Sequence, residues 1–229
     1  MLKKFSFITY LSVFSLPLAL FYAPNFAPVF SAESISSTII FYIAYLSHFF
    51  LVFLIAFSLF SLPILFFRKY KKKSYFYIIT VLLLSYIVLA VDAHVFKLYR
   101  FHINLAMLDL FLNANGEVIS FNFNMYLDII KEIILLLLYA VFAFFLSYFA
   151  VKKHIKVRIF AWFLIFFYVF CNFANAYAKI KDITSLTEIS SRIPLYKPLT
   201  MNSFLLKMGL VSPEDLKKEK IHLIHDYLK

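Results

Sequence analysis

The chain has 229 residues, of which 63% are hydrophobic and 21% aromatic, and only two are glycines. This apolar content lies well above the roughly 45–50% that is typical of soluble domains, so it excludes an ordinary soluble protein and predicts an all-α integral membrane protein. The formal net charge is +11. Because many of the basic residues lie in short loops between apolar runs, this charge indicates topology and contacts with anionic phospholipid, and it is not taken as a sign of nucleic-acid binding.

Five apolar runs are long enough to cross a bilayer core of about 30 Å as helices. The spans are predicted at Phe5–Tyr22, Ser37–Phe67, Tyr75–Val91, Tyr126–Val151 and Ile159–Tyr177. The first run follows two lysines, as the apolar part of a signal peptide does. Its length and the absence of a small-residue cleavage site favour a retained helix.

The basic loops predict the orientation of the chain. Eleven Lys and Arg, with no Asp or Glu, lie in the segments Lys3–Lys4, Arg68–Lys73 and Lys152–Arg158, whereas the opposite short loops carry few or balanced charges. Because positive charge next to a span resists translocation, the N terminus is predicted to be cytoplasmic and the segment from Lys179 to lie across the membrane. The chain is accordingly divided into a five-helix transmembrane domain, residues 1–178, and a linker, residues 179–229.

Two segments outside the spans are predicted to be ordered. The loop of residues 92–124 is too apolar for a free loop and too broken for a span, so it should lie in the membrane interface, with a short helix from Asn104 to Leu112. The linker should form two short amphipathic helices. The first ends at Gly209, and the second opens at Ser212 and Pro213. The apolar stripe of the first consists of Met201, Phe204, Leu205 and Met208.

Two ionisable side chains lie within or next to spans, where they are costly and therefore of interest. His48 falls inside the second span, and Asp92 follows the predicted third span directly. A packed, hydrogen-bonded histidine is favoured for His48 over a transport or relay role. Three charged residues open the fourth span, Asp128, Lys131 and Glu132, and local pairing at the surface is favoured over a carboxylate pair for acid–base catalysis.

The sequence offers no pattern of an enzyme. Cys171 is the only cysteine, which rules out an internal disulfide or a cysteine-based metal site. No His and carboxylate cluster has metal-site spacing, and two glycines cannot build a phosphate-binding loop. The prediction is a protein without catalytic activity, metal or cofactor.

Several short stretches resemble the membrane domain of the YejM/PbgA family. These are Gram-negative inner-membrane proteins that carry a sulfatase-like periplasmic domain and regulate lipopolysaccharide synthesis. The similarity runs in patches from about Tyr45 and does not include the sulfatase-like domain. It lies in SHFFLVF at Ser47–Phe53, VDAHVFKLYRFHIN at Val91–Asn104, ANAY at Ala174–Tyr177 and RIPLYKPLTMNSFLLKMGL at Arg192–Leu210.

The resemblance implies a role and a set of residues. A linker on the periplasmic side would bind lipid A, and the transmembrane helices would signal to a membrane protein adaptor of a protease. Asn202 and Ser203 stand where the family has two arginines, whose forked geometry suits phosphate. The implied lipid-binding residues are Arg192, Lys197, Thr200, Met201, Asn202, Ser203, Phe204, Leu205 and Lys207.

Two other functions remain open from the sequence. Phosphoethanolamine transferases also have five spans and an interfacial periplasmic helix, so the chain could be the membrane module of such an enzyme. It could also be a structural membrane anchor whose linker binds no specific lipid. The oligomeric state is not predicted.

Overall fold

The computed structural model describes residues 2–27, 35–66, 71–104, 123–181, 183–196 and 202–212. The regular structure within these ranges is α-helical. The helices are α1 (Leu2–Phe26), α2 (Ile35–Phe66), α3 (Lys71–Tyr99), α4 (Phe123–Lys152), α5 (Arg158–Ile180), α6 (Thr184–Arg192) and α7 (Asn202–Lys207).

Helices α1 to α5 are long and apolar enough to cross a membrane, which confirms the five predicted spans. The apolar spans within them are Ser6–Phe26, Thr38–Ser61, Ser74–Tyr99, Tyr126–Lys152 and Arg158–Ile180. The predicted short helix at Asn104–Leu112 and the predicted second linker helix fall mostly on residues outside the described ranges.

The third span was predicted to end too early. Helix α3 continues through Asp92 and His94 to Tyr99, whereas the sequence predicted a loop from residue 92. The polar residues that interrupt the apolar run are accommodated because their side chains find hydrogen-bond acceptors and donors nearby. The Nδ1–H of His94 donates to the carbonyl oxygen of Ala90, one turn earlier, at 2.8 Å.

The chain forms two compact units whose boundaries lie inside α2 and α5. The first comprises Met1–Phe26 and Phe49–Trp162, and the second comprises Ala27–His48 and Phe163–Lys229. The predicted division into a membrane domain and a linker at residues 178 and 179 stays a prediction.

In the first unit, helices α1, α3 and α4 pack against one another. Fully buried alanines on all three helices, Ala19, Ala93, Ala140 and Ala143, allow the close approach that small residues provide in membrane helix packing. A buried hydroxyl pair joins Ser15 and Tyr86 at 2.7 Å. These contacts satisfy polar groups that would otherwise be costly in an apolar interior.

In the second unit, α6 follows α5 after three residues and the chain then returns towards the interior of the unit. Ile189 of α6 and Ile193, just after its end, are buried. Their spacing of four places both on one face of the helix. This helix was not predicted, because the stretch TSLTEISSR is polar enough to read as a loop.

Candidate functional site

The candidate site consists of the described part of the linker in the second unit, residues 184–196 and 202–212. Helix α6 is attached to α5 by a side-chain hydrogen bond. The Nδ2–H of Asn175 donates to the carbonyl oxygen of Leu186 at 3.2 Å. Asn175 is buried, so this bond satisfies an amide inside the fifth span and fixes α6 beside it.

His48 contacts the segment that follows α6. Its Nε2–H donates to the carbonyl oxygen of Pro194 at 2.8 Å, and a carbonyl can only accept, so Nε2 carries the proton. The imidazole stacks on Tyr168 at a centroid distance of 6.2 Å and meets the edge of Tyr196 at 5.2 Å. This is the environment expected of a packed, hydrogen-bonded histidine.

Tyr196 closes this cluster from the linker side. Its ring is buried and packs edge-on against Tyr168 at 6.4 Å. Burial raises the pKa of the Tyr196 phenol, and the nearby Cys171 and Tyr168 act in the same direction. Leu195, between Pro194 and Tyr196, has a φ of 60°. This left-handed backbone position is uncommon for a leucine and turns the chain between two buried residues.

Helix α7 packs on the end of α5. Leu205 is fully buried in a small cluster with Val211, Ala176 and Ile180. The helix ends at Lys207, and Gly209, which was predicted to terminate it, has a φ of 69° in the left-handed region. The amide of Leu210 donates to the carbonyl of Leu205 at 3.1 Å. A short helix that is marginal alone is therefore held by tertiary contact and by its C-cap.

Other side chains of α7 and of the turn that follows it are exposed. The side chain of Phe204 is 52% exposed and that of Met208 57% exposed. Phe204 meets the edge of Phe173 at 6.3 Å, and Lys207 is exposed between the two apolar residues. Of the predicted stripe, Leu205 is thus covered by protein, whereas Phe204 and Met208 remain available to a ligand.

The structure places the remaining predicted linker residues as follows. Arg192 ends α6, is partly buried, and lies 3.7 Å from the carboxylate of Glu188. Asn202 and Ser203 form the first turn of α7. Lys197, Thr200 and Met201 fall outside the described ranges. The assignment of these residues to lipid binding stays a prediction.

Asp92 has partners that were not foreseen. The Nδ1–H of His102 donates to its Oδ2 at 2.8 Å, and the amide of Ile103 donates to its Oδ1 at 2.7 Å. The imidazole of His102 also stacks on Phe96 at 4.6 Å. Asp92 therefore holds the segment after α3 against the end of this helix by two hydrogen bonds. Arg100, at a φ of 62°, lies at the turn between them. The spacing of ten residues between Asp92 and His102 is no general motif, so this contact could not be predicted from the sequence.

The charged residues at the start of α4 divide into two kinds. Lys131 and Asp128 form the predicted local pair, with Nζ and Oδ1 3.1 Å apart on the exposed surface. Glu132 instead accepts a hydrogen bond from the hydroxyl of Tyr22 at 2.6 Å and lies 3.8 Å from Nε2 of His94. This second contact set joins α1, α3 and α4 and was missed, because a lone tyrosine in an apolar run gives no sign of its partner.

The described residues contain no group of three or more His, Cys, Asp or Glu side chains placed to hold a metal ion. What the linker offers chemically is a surface of exposed apolar side chains with a lysine.

Comparison with known proteins gives a family and no close relative. No curated protein matches the chain. The model of a family described as a domain of unknown function, DUF3413, matches residues 3–225, which is nearly the whole chain and includes all seven helices. The chain therefore belongs to the DUF3413 family.

Proposed function

We propose that this protein is a non-enzymatic regulator of lipopolysaccharide homeostasis in the bacterial inner membrane, of the YejM/PbgA type. Its linker binds lipid A at the periplasmic surface, and its transmembrane helices pass the signal to a membrane protein adaptor of a protease. The N terminus is cytoplasmic and the linker periplasmic. The stretches that resemble the YejM/PbgA membrane domain support this role, and they lie within the residues 3–225 that the family model matches.

The observation that carries the proposal is the way α7 is mounted. Leu205 anchors the helix on α5, whereas Phe204, Lys207 and Met208 are exposed. Exposed apolar side chains are common on the described helices, and here they stand next to a lysine near the end of α5. Acyl chains can cover these side chains, which removes their apolar area from water, and the lysine ammonium can pair with a lipid phosphate.

The topology supports a periplasmic position for this surface. Lys152, Lys153 and Lys156 follow the end of α4 and are exposed, where anionic phospholipid headgroups of the cytoplasmic leaflet would meet them. The end of α5 is one span further along the chain. By the positive-inside rule it faces the periplasm, the side on which newly made lipopolysaccharide accumulates before export.

The test is native mass spectrometry of the protein extracted in mild detergent from a host that makes lipopolysaccharide. We expect a lipid A-sized adduct on the wild-type protein. The double variant Phe204→Ala with Lys207→Ala should lose most of it, because one substitution removes acyl-chain contact and the other a phosphate partner. Insertion and helix content should be unchanged.

A matched control removes the same two residue types from another exposed site. Phe101 and Lys97 lie at the end of α3 and are both exposed, so Phe101→Ala with Lys97→Ala should keep the adduct. If both double variants bind lipid A as the wild type does, the α7 surface is not the site. If only ordinary phospholipid is bound in every case, Asn202 and Ser203 mark a lost lipid A site and the sensing role is wrong.

A further inference from the structure

The linker does not merely follow the last span but folds back along it. His48 lies ten residues after Thr38, the start of the second span, which is about 15 Å along a helix. Tyr168 lies twelve residues before Ile180, the end of the fifth span, or about 18 Å. Both contact the linker segment Ile193–Tyr196. This segment therefore reaches well inside the length of two membrane spans.

A polar backbone at that level needs a hydrogen-bond donor. Pro194 and Tyr196 are buried, and an unpaired carbonyl in an apolar interior costs several kcal/mol. His48 supplies the donor to the Pro194 carbonyl from within α2. Irregular backbone at membrane depth is tolerated where protein covers it and satisfies it, and His48 with Tyr168 provides that cover.

The linker is held at a second point, close to the candidate lipid surface. Leu205 packs on Ala176 and Ile180, eight residues further along α5 than Tyr168, or about 12 Å. Leu205 lies nine positions after Tyr196 in the sequence. The Tyr196 and Leu205 contacts thus hold a short stretch of linker at two points of the same helix. Release of one contact therefore increases the conformational freedom of the residue that makes the other.

We propose that His48 is the positioning residue of the linker: it holds Ile193–Tyr196 in the docked position and thereby couples ligand occupancy of α7 to α2 and α5. The identity of the ligand rests on the proposed function, whereas the docking by His48 does not. Docking brings Phe204, Lys207 and Met208 together on the α5 end, so a ligand of that surface binds the docked form. Binding and docking then stabilise each other by the same factor, as linkage requires.

The docking is tested without any ligand by hydrogen–deuterium exchange of the purified protein in detergent. The readout is a peptide that contains Leu195 and Tyr196. In the docked form, the backbone amide of Tyr196 donates to the carbonyl oxygen of Ile193. His48→Leu should speed its exchange about tenfold, since a buried hydrogen bond is lost. His48→Gln keeps a donor at a similar reach and should stay within about threefold of the wild type.

A control separates this effect from the general cost of removing a membrane histidine. His94→Leu removes a histidine from α3, whose Nδ1 bonds within its own helix, and should leave exchange of the Leu195 peptide unchanged. Equal exchange in wild type, His48→Leu and His48→Gln would overturn the proposal. So would equal acceleration by His94→Leu and His48→Leu, which would show a general loosening.

The coupling is tested by adding detergent-solubilised lipid A. It should slow exchange of the Leu195 peptide in the wild type, because a ligand that binds the docked form lowers the population of the released form. If lipid A does not bind the wild type, the proposed function fails, and the ligand-free exchange still decides whether His48 holds the linker. If lipid A binds the wild type and leaves exchange of the Leu195 peptide unchanged, the coupling is wrong.

Discussion

The Nε2 atom of His48 lies 2.8 Å from the carbonyl oxygen of Pro194, although 146 residues separate the two in the chain. One of these residues belongs to the second membrane helix and the other to the linker after the fifth. A histidine inside a span is costly unless it is hydrogen-bonded, and here the linker supplies the partner of Nε2. The linker is therefore a packed part of the second unit and not a free extension of it.

Asp92 should be the most sensitive charged position in the first unit. Asp92→Ala leaves the Nδ1–H of His102 and the amide of Ile103 without their acceptor. We expect a loss of about 3 kcal/mol in the free energy of unfolding, because both bonds are made to a carboxylate that is 7% exposed. Asp92→Asn keeps one acceptor and should lose less. Denaturant unfolding in mixed micelles, followed by circular dichroism, gives the difference.

Asp128 provides the matched comparison. Its pair with Lys131 lies on the surface, with the side chains 75% and 70% exposed. Asp128→Ala should cost less than about 0.5 kcal/mol, since solvent screens such pairs. A cost equal to that of Asp92→Ala would show that the contacts of Asp92 contribute nothing beyond surface charge.

Helix α7 should depend on one side chain for its docking. Leu205→Ala removes the fully buried residue that joins the helix to Ala176 and Ile180, and a buried Leu→Ala change costs roughly 2–5 kcal/mol. A six-residue helix cannot persist without that contact. Trypsin should then cut after Lys207 much faster than in the wild type, because cleavage requires the helix to open.

Leu210→Ala serves as the control for this cleavage assay. Leu210 is 43% exposed, lies close to the same bond and is also a leucine. It should leave the cleavage rate within about twofold of the wild type, as expected for a surface substitution worth less than about 0.5 kcal/mol. If Leu205→Ala and Leu210→Ala behave alike, Leu205 does not anchor α7.

Much of the fold can be predicted from the sequence because membrane spans are set by length and apolarity alone. A bilayer core requires about 20 apolar residues, and all five runs that meet this requirement are helices. The end of the third span was placed too early for the same reason. A prediction based on apolarity ends the span before Asp92, because it does not include the hydrogen bonds that His102 and Ile103 donate to this carboxylate.

The candidate site was harder to predict, because its contacts join residues that are distant in sequence. His48 stood out as a buried polar group in need of a partner, but any backbone carbonyl can serve, so Pro194 could not be singled out. In α7, the i, i+3, i+4, i+7 spacing predicted an apolar stripe, of which Met201 lies outside the described residues. Only the packing on α5 shows that Leu205 is covered while Phe204 is not.

Gly209 should be required for the end of α7. Its φ of 69° is open to glycine at no cost, and a methyl group there would meet nothing within 4 Å. Gly209→Ala should therefore cost about 1 kcal/mol through backbone strain alone. Gly209→Asn should cost less, since asparagine tolerates the left-handed region. Trypsin cleavage after Lys207 measures both, and an alanine variant that is cut no faster than the asparagine variant would contradict this account.

Docking of the linker should weaken above about pH 10. Burial raises the pKa of the Tyr196 phenol above its ordinary value of about 10. As the pH rises past 10, a released Tyr196 loses its proton while the docked one keeps it. The released state then binds fewer protons, so the docked state loses stability as the pH rises towards its own, higher pKa, and is unaffected well below pH 10.

The comparison of wild type with Tyr196→Phe isolates this effect from the other tyrosines and lysines, because phenylalanine keeps the ring and lacks the ionisable group. The melting temperature of the wild type, measured by circular dichroism in detergent, should fall relative to that of Tyr196→Phe between pH 9 and 11, and their difference should be constant from pH 7 to 9. Tyr99→Phe removes a hydroxyl from an exposed ring at the end of α3 and controls for alkaline effects in general. Parallel curves for wild type and Tyr196→Phe across the whole range would mean that Tyr196 is not buried when the linker is in place.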